Sequence, residues 1–337
     1  MFKPTKLKLM AAVAGACVAM LVSAPANAYV YAASKLQVRD FTLDILPTAV
    51  TTVGSFSFDL SNTASLNSPS VSSAASCGGT IGSNTCGLAP VLDAAAVNAG
   101  GSTLLRTNNN FAFLGADAVN SYSGSDSVIH TAELVNFGSP TATSQIAESL
   151  LNINGSARAN SEIQSNTSLR VTFTIANPSA TLDLSFNADP DQRAEINGAV
   201  GVYLAQSNLN TSITLTNNTT GGVINWTPRG TSLVNECIAS GTTATCTEVS
   251  DALNLNRNAS TGLNPSINDN SFEAADIFGF FKIHIGGLEA GDYSIALNSL
   301  TSTSIRRLVP EPGSLALIGV ALLGLGFAST KRQTKQA

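Results

Sequence analysis

The strongest constraint on the fold is an alternation of apolar and polar residues with a period of two. The alternating runs are short and are separated by Gly, Asn, Ser, Thr and Pro. They are centred near Phe58, Val171, Leu184, Val202, Leu215, Trp226 and Ile295. Because successive side chains of a strand point to opposite faces, this pattern predicts half-buried strands with turns between them. We therefore expect a mainly β fold over residues 29–308, an antiparallel β-sandwich of the jelly-roll or immunoglobulin-like kind. Two small β domains are the alternative.

Other stretches are assigned from composition and turn chemistry. Residues 62–124 are rich in Ser, Asn, Gly and Ala, so we expect long loops there, as a loop-rich insertion around the first cysteine pair. Residues 90–98 within it are expected to form a short helix, and residues 158–166 are ambiguous. Turns are expected at residues 177–179 and at Gly286-Gly287.

Four cysteines form two pairs with the same spacing, Cys77/Cys86 and Cys237/Cys246. A fifth, Cys17, lies in the N-terminal segment described next, so its removal leaves an even number. An even number of cysteines in an exported chain predicts disulfides, and two local loops are the simplest of the three connectivities. A zinc site is the alternative, but zinc ligands usually lie two to four residues apart and often include His.

Residues 1–28 are typical of a secretory signal peptide with a signal helix. The basic residues at its start are Lys3, Lys6 and Lys8. An apolar run from Leu9 to Val22 follows, which is short of the roughly 20 residues that an uncleaved anchor needs. Ala26 and Ala28 fit the small-x-small pattern of signal peptidase, so the mature chain is expected to begin at Tyr29.

The C-terminus contains three parts in a fixed order. Val309, Pro310, Glu311 and Pro312 come first, and the prolines favour an extended segment. An apolar run over about 314–328 follows, and it predicts a short transmembrane helix, roughly 24 Å long at 1.5 Å per residue. Lys331 and Arg332 then act as a stop-transfer signal that keeps the tail in the cytoplasm. A plain membrane anchor is the alternative.

This ending resembles the PEP-CTERM sorting signal of Gram-negative bacteria over residues 309–333. The resemblance implies that exosortase, an integral membrane protease-transpeptidase, recognises Pro310, Glu311 and Pro312 and removes the tail. It implies export across the inner membrane, a transient C-terminal membrane anchor, and then a place at the cell surface or outside the cell. Proteins with this signal often occur in bacteria that form biofilms, so the resemblance also implies an exopolysaccharide partner.

The charge balance argues against a nucleic-acid partner. Residues 29–308 contain eleven Lys and Arg against twenty-one Asp and Glu. No stretch of this body forms the basic stripe that binding to phosphates requires, so we expect no nucleic-acid binding.

We expect no enzymatic activity. His130 and His284 are the only histidines, and the chain contains neither a Gly-x-Ser-x-Gly elbow nor a phosphate-binding Gly-rich loop with Lys. The sequence leaves a glycosidase with two carboxylates open as an alternative. Sugar-cleaving clefts are usually lined by aromatic residues, however, and aromatics are only 6% of this chain.

Two acidic stretches raise the question of calcium, which binds through six to eight oxygen atoms. Their oxygen-bearing residues are Asn187, Asp189, Asp191 and Glu195 in the first, and Asn268, Asp269, Asn270, Glu273 and Asp276 in the second. Asn and Asp also close turns, and we favour that explanation. We therefore expect no cofactor, with calcium as the alternative.

These observations together predict an exported protein with a structural role in an exopolysaccharide or biofilm envelope. The alternative is a carbohydrate-binding or adhesive module on the same export route. In that case Trp226, Tyr203 and Tyr293 are the candidates for stacking on sugar rings. Packing in the core is the other assignment for these three side chains, because each lies within a strand pattern.

Overall fold

The computed structural model describes residues 28–46, 53–80, 83–84, 91–100, 105–116, 120–130, 141–163, 170–176, 178–198, 201–230, 234–263, 265–270, 276–308 and 319. Eighteen strands make up most of this described part, and the paired strands are antiparallel, which confirms the mainly β prediction. Apart from Ala28 and Gly319, the predicted signal helix and C-terminal helix lie outside the described residues. Within those residues, no helix has the length and apolar character to cross a membrane.

The strands, numbered in chain order, form two sheets. The eight-stranded sheet runs β14 (Thr245–Asp251), β17 (Gly279–Leu288), β10 (Ala180–Asn197), β1 (Tyr29–Leu46), β7 (Thr141–Leu151), β6 (Tyr122–His130) and β5 (Val91–Ala99), with β16 (Ser266–Asn270) also paired to β10. The ten-stranded sheet runs β13 (Cys237–Ser240), β12 (Val223–Trp226), β11 (Val202–Asn217), β18 (Gly291–Leu308), β8 (Gly155–Ile163), β2 (Val53–Leu66), β3 (Ser70–Thr80) and β4 (Ser83–Asn84), with β15 (Arg257–Thr261) on β11 and β9 (Arg170–Ile175) on β18 and β2.

Alternate residues of both sheets are buried in a large apolar core, as the period-two pattern predicts. The core includes Leu182, Leu184 and Phe186 of β10 and Ile213 and Leu215 of β11. Aromatic rings pack at its centre: the rings of Phe186 and Phe281 are stacked with centroids 4.9 Å apart, and Trp226 is tilted against Phe186 at 5.7 Å. These arrangements are the ones that aromatic quadrupoles favour.

At the start of β11, the sequence pattern assigned the wrong residues to the buried face of the strand. The pattern placed Val202 among inward residues, but its side chain is exposed, and Tyr203 and Ala205 are buried instead. Both pack in a second apolar cluster with Ile305 and Val30. Since neighbouring residues of a strand face opposite ways, burying Tyr203 turns Val202 toward solvent.

The expectation of loops over residues 62–124 is wrong where the structure is described in detail, because β3 and β5 extend the two sheets there. The helix expected over residues 90–98 is a strand, β5, paired with β6. The residues of β6 that face the other sheet are small and polar, and their hydroxyl groups make hydrogen bonds to that sheet. Ser125 donates to the carbonyl oxygen of Thr63, and Ser127 donates to Asn62. The pairing of β5 with β6 and the hydrogen bonds between the sheets therefore outweigh the local preference of residues 90–98 for a helix.

The turn expected at Gly286-Gly287 is also displaced. Strand β17 continues to Leu288, and its register with β10 shifts between the Ala180–Leu288 and Leu182–Ile285 pairs. Gly287 has a φ of 69°, a conformation that favours glycine. The two glycines therefore form a β-bulge near the strand end, and the chain turns after Leu288.

The second cysteine pair forms the predicted disulfide. Cys237 and Cys246 are bonded, with Cα atoms 5.6 Å apart, and the bond joins β13 to β14. It therefore links an edge strand of one sheet to an edge strand of the other. Cys77 is also disulfide-bonded, and its predicted partner Cys86 lies outside the described residues.

A buried ion pair holds residues 105–116 against the outer face of the eight-stranded sheet. The guanidinium of Arg106 pairs with Glu148 of β7, and both side chains are almost fully buried. The same carboxylate accepts hydrogen bonds from the hydroxyl of Tyr31 at 2.6 Å and from the backbone N–H of Gly115 at 2.8 Å. Burial and the charge of Glu148 raise the pKa of Tyr31 well above its usual value. This buried network of hydrogen bonds therefore fixes the path of residues 105–116 over the sheet.

Both ends of the described body lie at one end of the two sheets, which we call the exit end and define by Ala28, Gly155, Gly198, Val202 and Leu308. Leu308 is the register partner of Val202, and the residue before it pairs with Gly155. A Cβ placed on Gly198 would lie 2.5 Å from the Cβ of Ala28, so the two backbones are in close contact.

Candidate functional site

The predicted sorting residues Val309, Pro310, Glu311 and Pro312, and the stop-transfer pair Lys331 and Arg332, lie outside the described residues. The structure shows how the chain reaches them. Strand β18 lies inside the ten-stranded sheet, between β11 on one side and β8 and β9 on the other. It ends at Leu308, so the segment after it leaves from the exit end.

The junction between the two chain ends is polar and buried. Nη1 of Arg307 donates a 2.6 Å hydrogen bond to the carbonyl oxygen of Ala28. Burial lowers the pKa of Arg307 and outweighs the opposing effect of Tyr203. A buried guanidinium without a hydrogen-bond partner destabilises a fold. This contact therefore holds the last strand, β18, against Ala28, the residue that precedes the first strand.

The predicted signal peptidase site lies at this junction. Ala26 is outside the described residues, Ala28 is buried, and β1 begins at Tyr29. The hydroxyl of Tyr29 donates to Glu195 of β10, and the pKa of Tyr29 is raised, first by burial and then by this carboxylate. The expected scissile bond therefore separates Ala28 from the first residue of the sheet.

The two acidic stretches considered for calcium meet around a lysine. Carboxylate oxygens of Asp189, Asp191 and Asp276 lie within 4.8 Å of one another. The ammonium of Lys35 lies between them, 2.7 Å from Asp191, 2.9 Å from Asp276 and 3.7 Å from Asp189. Burial disfavours the charged amine, but the hydrogen bonds to Asp191 and Asp276 outweigh it and raise the pKa of Lys35. This set is therefore balanced by a cation of the chain itself.

The first acidic stretch is part of β10 and not a loop, and this divides its residues among different partners. Asn187 donates to Asp40, while Glu195 pairs with Arg193 and accepts from Tyr29. In the second stretch Glu273 lies outside the described residues. The turns that the sequence analysis favoured for these Asn and Asp residues are thus wrong, because 187–195 and 268–270 lie in β10 and β16. Residues in a strand point alternately to two faces, so neither stretch forms one set of ligands by itself.

Asp189 is the member of this acidic set whose negative charge is least stabilised by its surroundings. Burial, followed by the neighbouring charge of Asp191, raises the pKa of Asp189 to about 7. The ammonium of Lys35, 3.7 Å away, lowers the pKa of Asp189 only in part. Near neutral pH, therefore, a proton on Asp189 relieves repulsion within the set.

A polar groove of about 730 Å³ opens on the outer face of the ten-stranded sheet. It lies on β11 and β18, where the neighbour of β11 changes from β15 to β12. Its lining residues are Asn208, Leu209, Asn210, Thr227, Arg229, Asn256, Arg257, Asn258, Leu300 and Ser302. No Asp, Glu or aromatic side chain is among these residues.

Side chains along the groove are connected across three strands. Asn208 donates to the hydroxyl of Ser302 at 3.2 Å and accepts a hydrogen bond from Asn258. Asn256 bridges the gap beside β11, donating to the carbonyl oxygens of Thr211 and Pro228 at 2.7 and 2.9 Å. This arrangement presents amide and hydroxyl groups of fixed orientation, together with the exposed guanidinium of Arg229, to a ligand rich in hydroxyl groups.

The aromatic residues expected to stack on sugars do not lie in this groove. Trp226, Tyr203 and Tyr293 are all buried. Trp226 donates from its ring N–H to Glu248, and the ring of Tyr293 stacks on that of Phe173. The stacking alternative is therefore wrong, and the assignment of all three side chains to the core is confirmed.

The two histidines are both exposed, and they occupy different parts of the eight-stranded sheet. His130 ends β6, whereas His284 lies in β17 and its Nδ1 is 2.5 Å from a carboxylate oxygen of Asp183. Lys282 pairs with the same carboxylate at 2.9 Å, so Asp183 belongs to a surface ion pair. Burial would raise the pKa of Asp183, but its hydrogen bonds to Lys282 and His284 outweigh that effect and lower it.

Sequence reasoning missed the polar groove, because its residues come from four separate parts of the chain. The frequent Asn residues gave no local signal of the groove, because they occur throughout the chain.

Comparison with known proteins identifies one segment of the chain. Residues 308–332 match the family model described as the PEP-CTERM protein-sorting motif. No curated protein and no solved structure matches the chain. The match begins at Leu308, the last residue of β18, so the sorting motif starts where the described sheet ends.

Proposed function

We propose that this chain is a structural protein of the cell surface or extracellular matrix, associated with an exopolysaccharide or biofilm envelope and delivered there by exosortase. The observation that carries the proposal is the sorting motif over residues 308–332. Its position directly after the last strand supports removal of the motif without loss of any strand of the body.

In the proposed route, signal peptidase cuts between Ala28 and Tyr29 during export. The apolar run near 314–328 then holds the chain in the inner membrane, with Lys331 and Arg332 on the cytoplasmic side. Exosortase recognises Pro310, Glu311 and Pro312, removes the tail, and releases the body to the surface or the exterior. The protein itself performs no catalytic step in this proposal.

The described body suits a structural role outside the cell. A disulfide joins the edges of its two sheets, and its core is apolar and aromatic. Disulfides persist in oxidising compartments, where they resist unfolding without help from chaperones.

The mass of the mature protein tests the sorting route. We expect a chain that begins at Tyr29 and ends near Pro310, in the extracellular or cell-surface fraction. In a host without exosortase, the C-terminal tail should remain on the protein and the protein should remain in the membrane. An intact C-terminus in the presence of active exosortase would contradict the proposal.

Substitution of the motif refines this test. Glu311→Gln should slow removal of the tail, because it removes a charge from the segment that the enzyme recognises. Glu289→Gln is the matched control, since Glu289 lies in the turn before β18, at the opposite end from Leu308. Equal removal of the tail in both variants would mean that exosortase does not recognise Glu311.

The polar groove favours a second function, recognition of a carbohydrate. Asn208, Asn258 and Ser302 present linked donors and acceptors, and the exposed Arg229 adds positive charge to an acidic body. Guanidinium groups pair well with carboxylates, so a polysaccharide that contains uronic acids is the ligand class we propose.

A glycan-binding screen with the mature protein tests this second function. Asn258→Ala should weaken binding of acidic glycans, because it breaks the connection from β15 to β11. Asn225→Ala is the matched control, since Asn225 is exposed on β12 of the same sheet but does not line the groove. Binding that survives Asn258→Ala and Arg229→Ala unchanged would place the ligand elsewhere.

A further inference from the structure

Four exposed aliphatic side chains surround the point where β18 ends. They are Ile153, Val202, Leu263 and Leu308, with exposed fractions of 56, 62, 75 and 40%. We call them the exit rim. Two of them, Val202 and Leu308, are direct register partners, so their side chains share one face of the sheet.

The other two members of the exit rim are placed by their neighbours. Ile153 lies two residues before Gly155, which pairs with Arg307. Leu263 follows Gly262, where a Cβ would lie 3.5 Å from the carbonyl oxygen of Tyr203. All four aliphatic side chains therefore belong to the exit end of the body.

Positive charge accompanies the exit rim on the ten-stranded sheet. Arg306 and Arg158 are exposed. Arg306 is the register partner of Ser156 and Arg158 is that of Ser304, so the two arginines lie two positions apart in the register of β18 and β8. No Asp or Glu occurs in the neighbouring described strand segments 62–66, 70–74, 155–159, 202–206 and 303–308. The ten-stranded sheet is therefore locally basic at this end, although the body as a whole is acidic.

The length of the connecting segment brings this end close to a membrane. This step rests on the proposed function, because it takes the apolar run from Leu315 as the anchor. Only residues 309–314 separate Leu308 from that run, and six residues span at most roughly 20 Å. Strand β18 has 18 residues, or roughly 60 Å at full extension. The exit end must therefore be the end nearest the bilayer.

We propose that the exit rim docks on an anionic phospholipid surface while the tail is still attached. The four aliphatic side chains enter the boundary between headgroups and acyl chains, and Arg158 and Arg306 meet headgroup phosphates. Docking holds Pro310, Glu311 and Pro312 at the membrane surface, where an integral membrane protease acts. Because four side chains bury little area, the contact depends on the tether and is lost once the tail is cut.

A fluorescence experiment tests this orientation. The full exported chain is isolated from membranes of a host without exosortase and reconstituted into phosphatidylethanolamine–phosphatidylglycerol vesicles with brominated acyl chains, which quench tryptophan on contact. The natural Trp226 is fully buried and gives a constant background. Leu263→Trp places a reporter in the exit rim. Leu46→Trp is the matched control, an exposed leucine at the opposite end of β1.

We expect the brominated lipid to remove more than half of the emission added by Leu263→Trp and none of that added by Leu46→Trp. Val202→Trp gives a second reporter in the same rim, should Leu263→Trp fail to accumulate. Vesicle-bound protein with equal quenching at both ends would overturn the docking and leave the sorting route intact. Protein that does not associate with vesicles at all would overturn both the anchor and the docking.

Discussion

The side chain of Arg307 donates a 2.6 Å hydrogen bond to the carbonyl oxygen of Ala28, which joins two residues 279 positions apart in the sequence. The acceptor is the residue after which signal peptidase is expected to cut. Cleavage would remove this carbonyl and leave the new amino group of Tyr29 near the guanidinium. The precursor and the mature protein should therefore differ in how much Arg307 contributes to stability.

Replacing Arg307 by Met should lower the free energy of unfolding of the precursor by about 1–3 kcal/mol, because the buried carbonyl of Ala28 loses its donor. The loss should be smaller in the processed protein, which lacks that carbonyl. Urea unfolding of both forms, followed by Trp226 emission, measures the difference. Arg306→Met is the control, because Arg306 is exposed next to it. Equal losses in both forms would contradict the expectation.

Removing the disulfide by Cys237→Ser should lower the free energy of unfolding by about 2–3 kcal/mol, the value expected for closing a short loop. Thermal unfolding with and without reductant measures the effect. Cys17→Ser should leave the mature protein unchanged, because Cys17 lies in the predicted signal peptide. A Cys237→Ser protein that melts at the wild-type temperature would show that the bond does not stabilise the fold.

Stability should fall as the pH rises through the range set by Asp189. Burial raises the pKa of Asp189 from 3.8 to about 7, so between these values the folded state holds a proton that the unfolded chain releases. Asp189→Asn keeps the neutral form. It should match the wild type near about pH 4 and exceed its stability by roughly 4 kcal/mol near about pH 8.

Urea unfolding across this pH range checks the effect of Asp189. Asp44→Asn serves as control, since Asp44 is exposed on β1. Parallel pH profiles for wild type and Asp189→Asn would show that Asp189 does not titrate as expected.

Glu148→Gln should destabilise the fold by about 3–5 kcal/mol, because it leaves the buried guanidinium of Arg106 without a counter-charge. Hydrogen exchange should increase in residues 105–116, whose backbone N–H groups bond to this carboxylate. Glu289→Gln, in the turn before β18, should change neither quantity, because the amide oxygen can still accept from Thr243. Unchanged exchange in residues 105–116 would show that another contact holds that segment.

Much of the fold could be predicted from the sequence, because strand periodicity is a local property. The buried positions Phe58, Leu184 and Ile295 follow from alternation alone. The prediction failed at β5, where small residues carry a weak β preference and pairing with β6 decides the outcome. It also failed at Val202, because only the packing of Tyr203 determines which face of β11 is buried.

For the candidate sites, the division is similar. The sorting motif and the spacing of the cysteine pairs could be recognised from the amino-acid order, since both depend on residues close together in the chain. The pairing of Lys35 with Asp191 and Asp276, the burial of Trp226 and the grouping of distant asparagines in one groove could not. These properties depend on which strands become neighbours, and strand pairing is set by the combined packing of the two sheets.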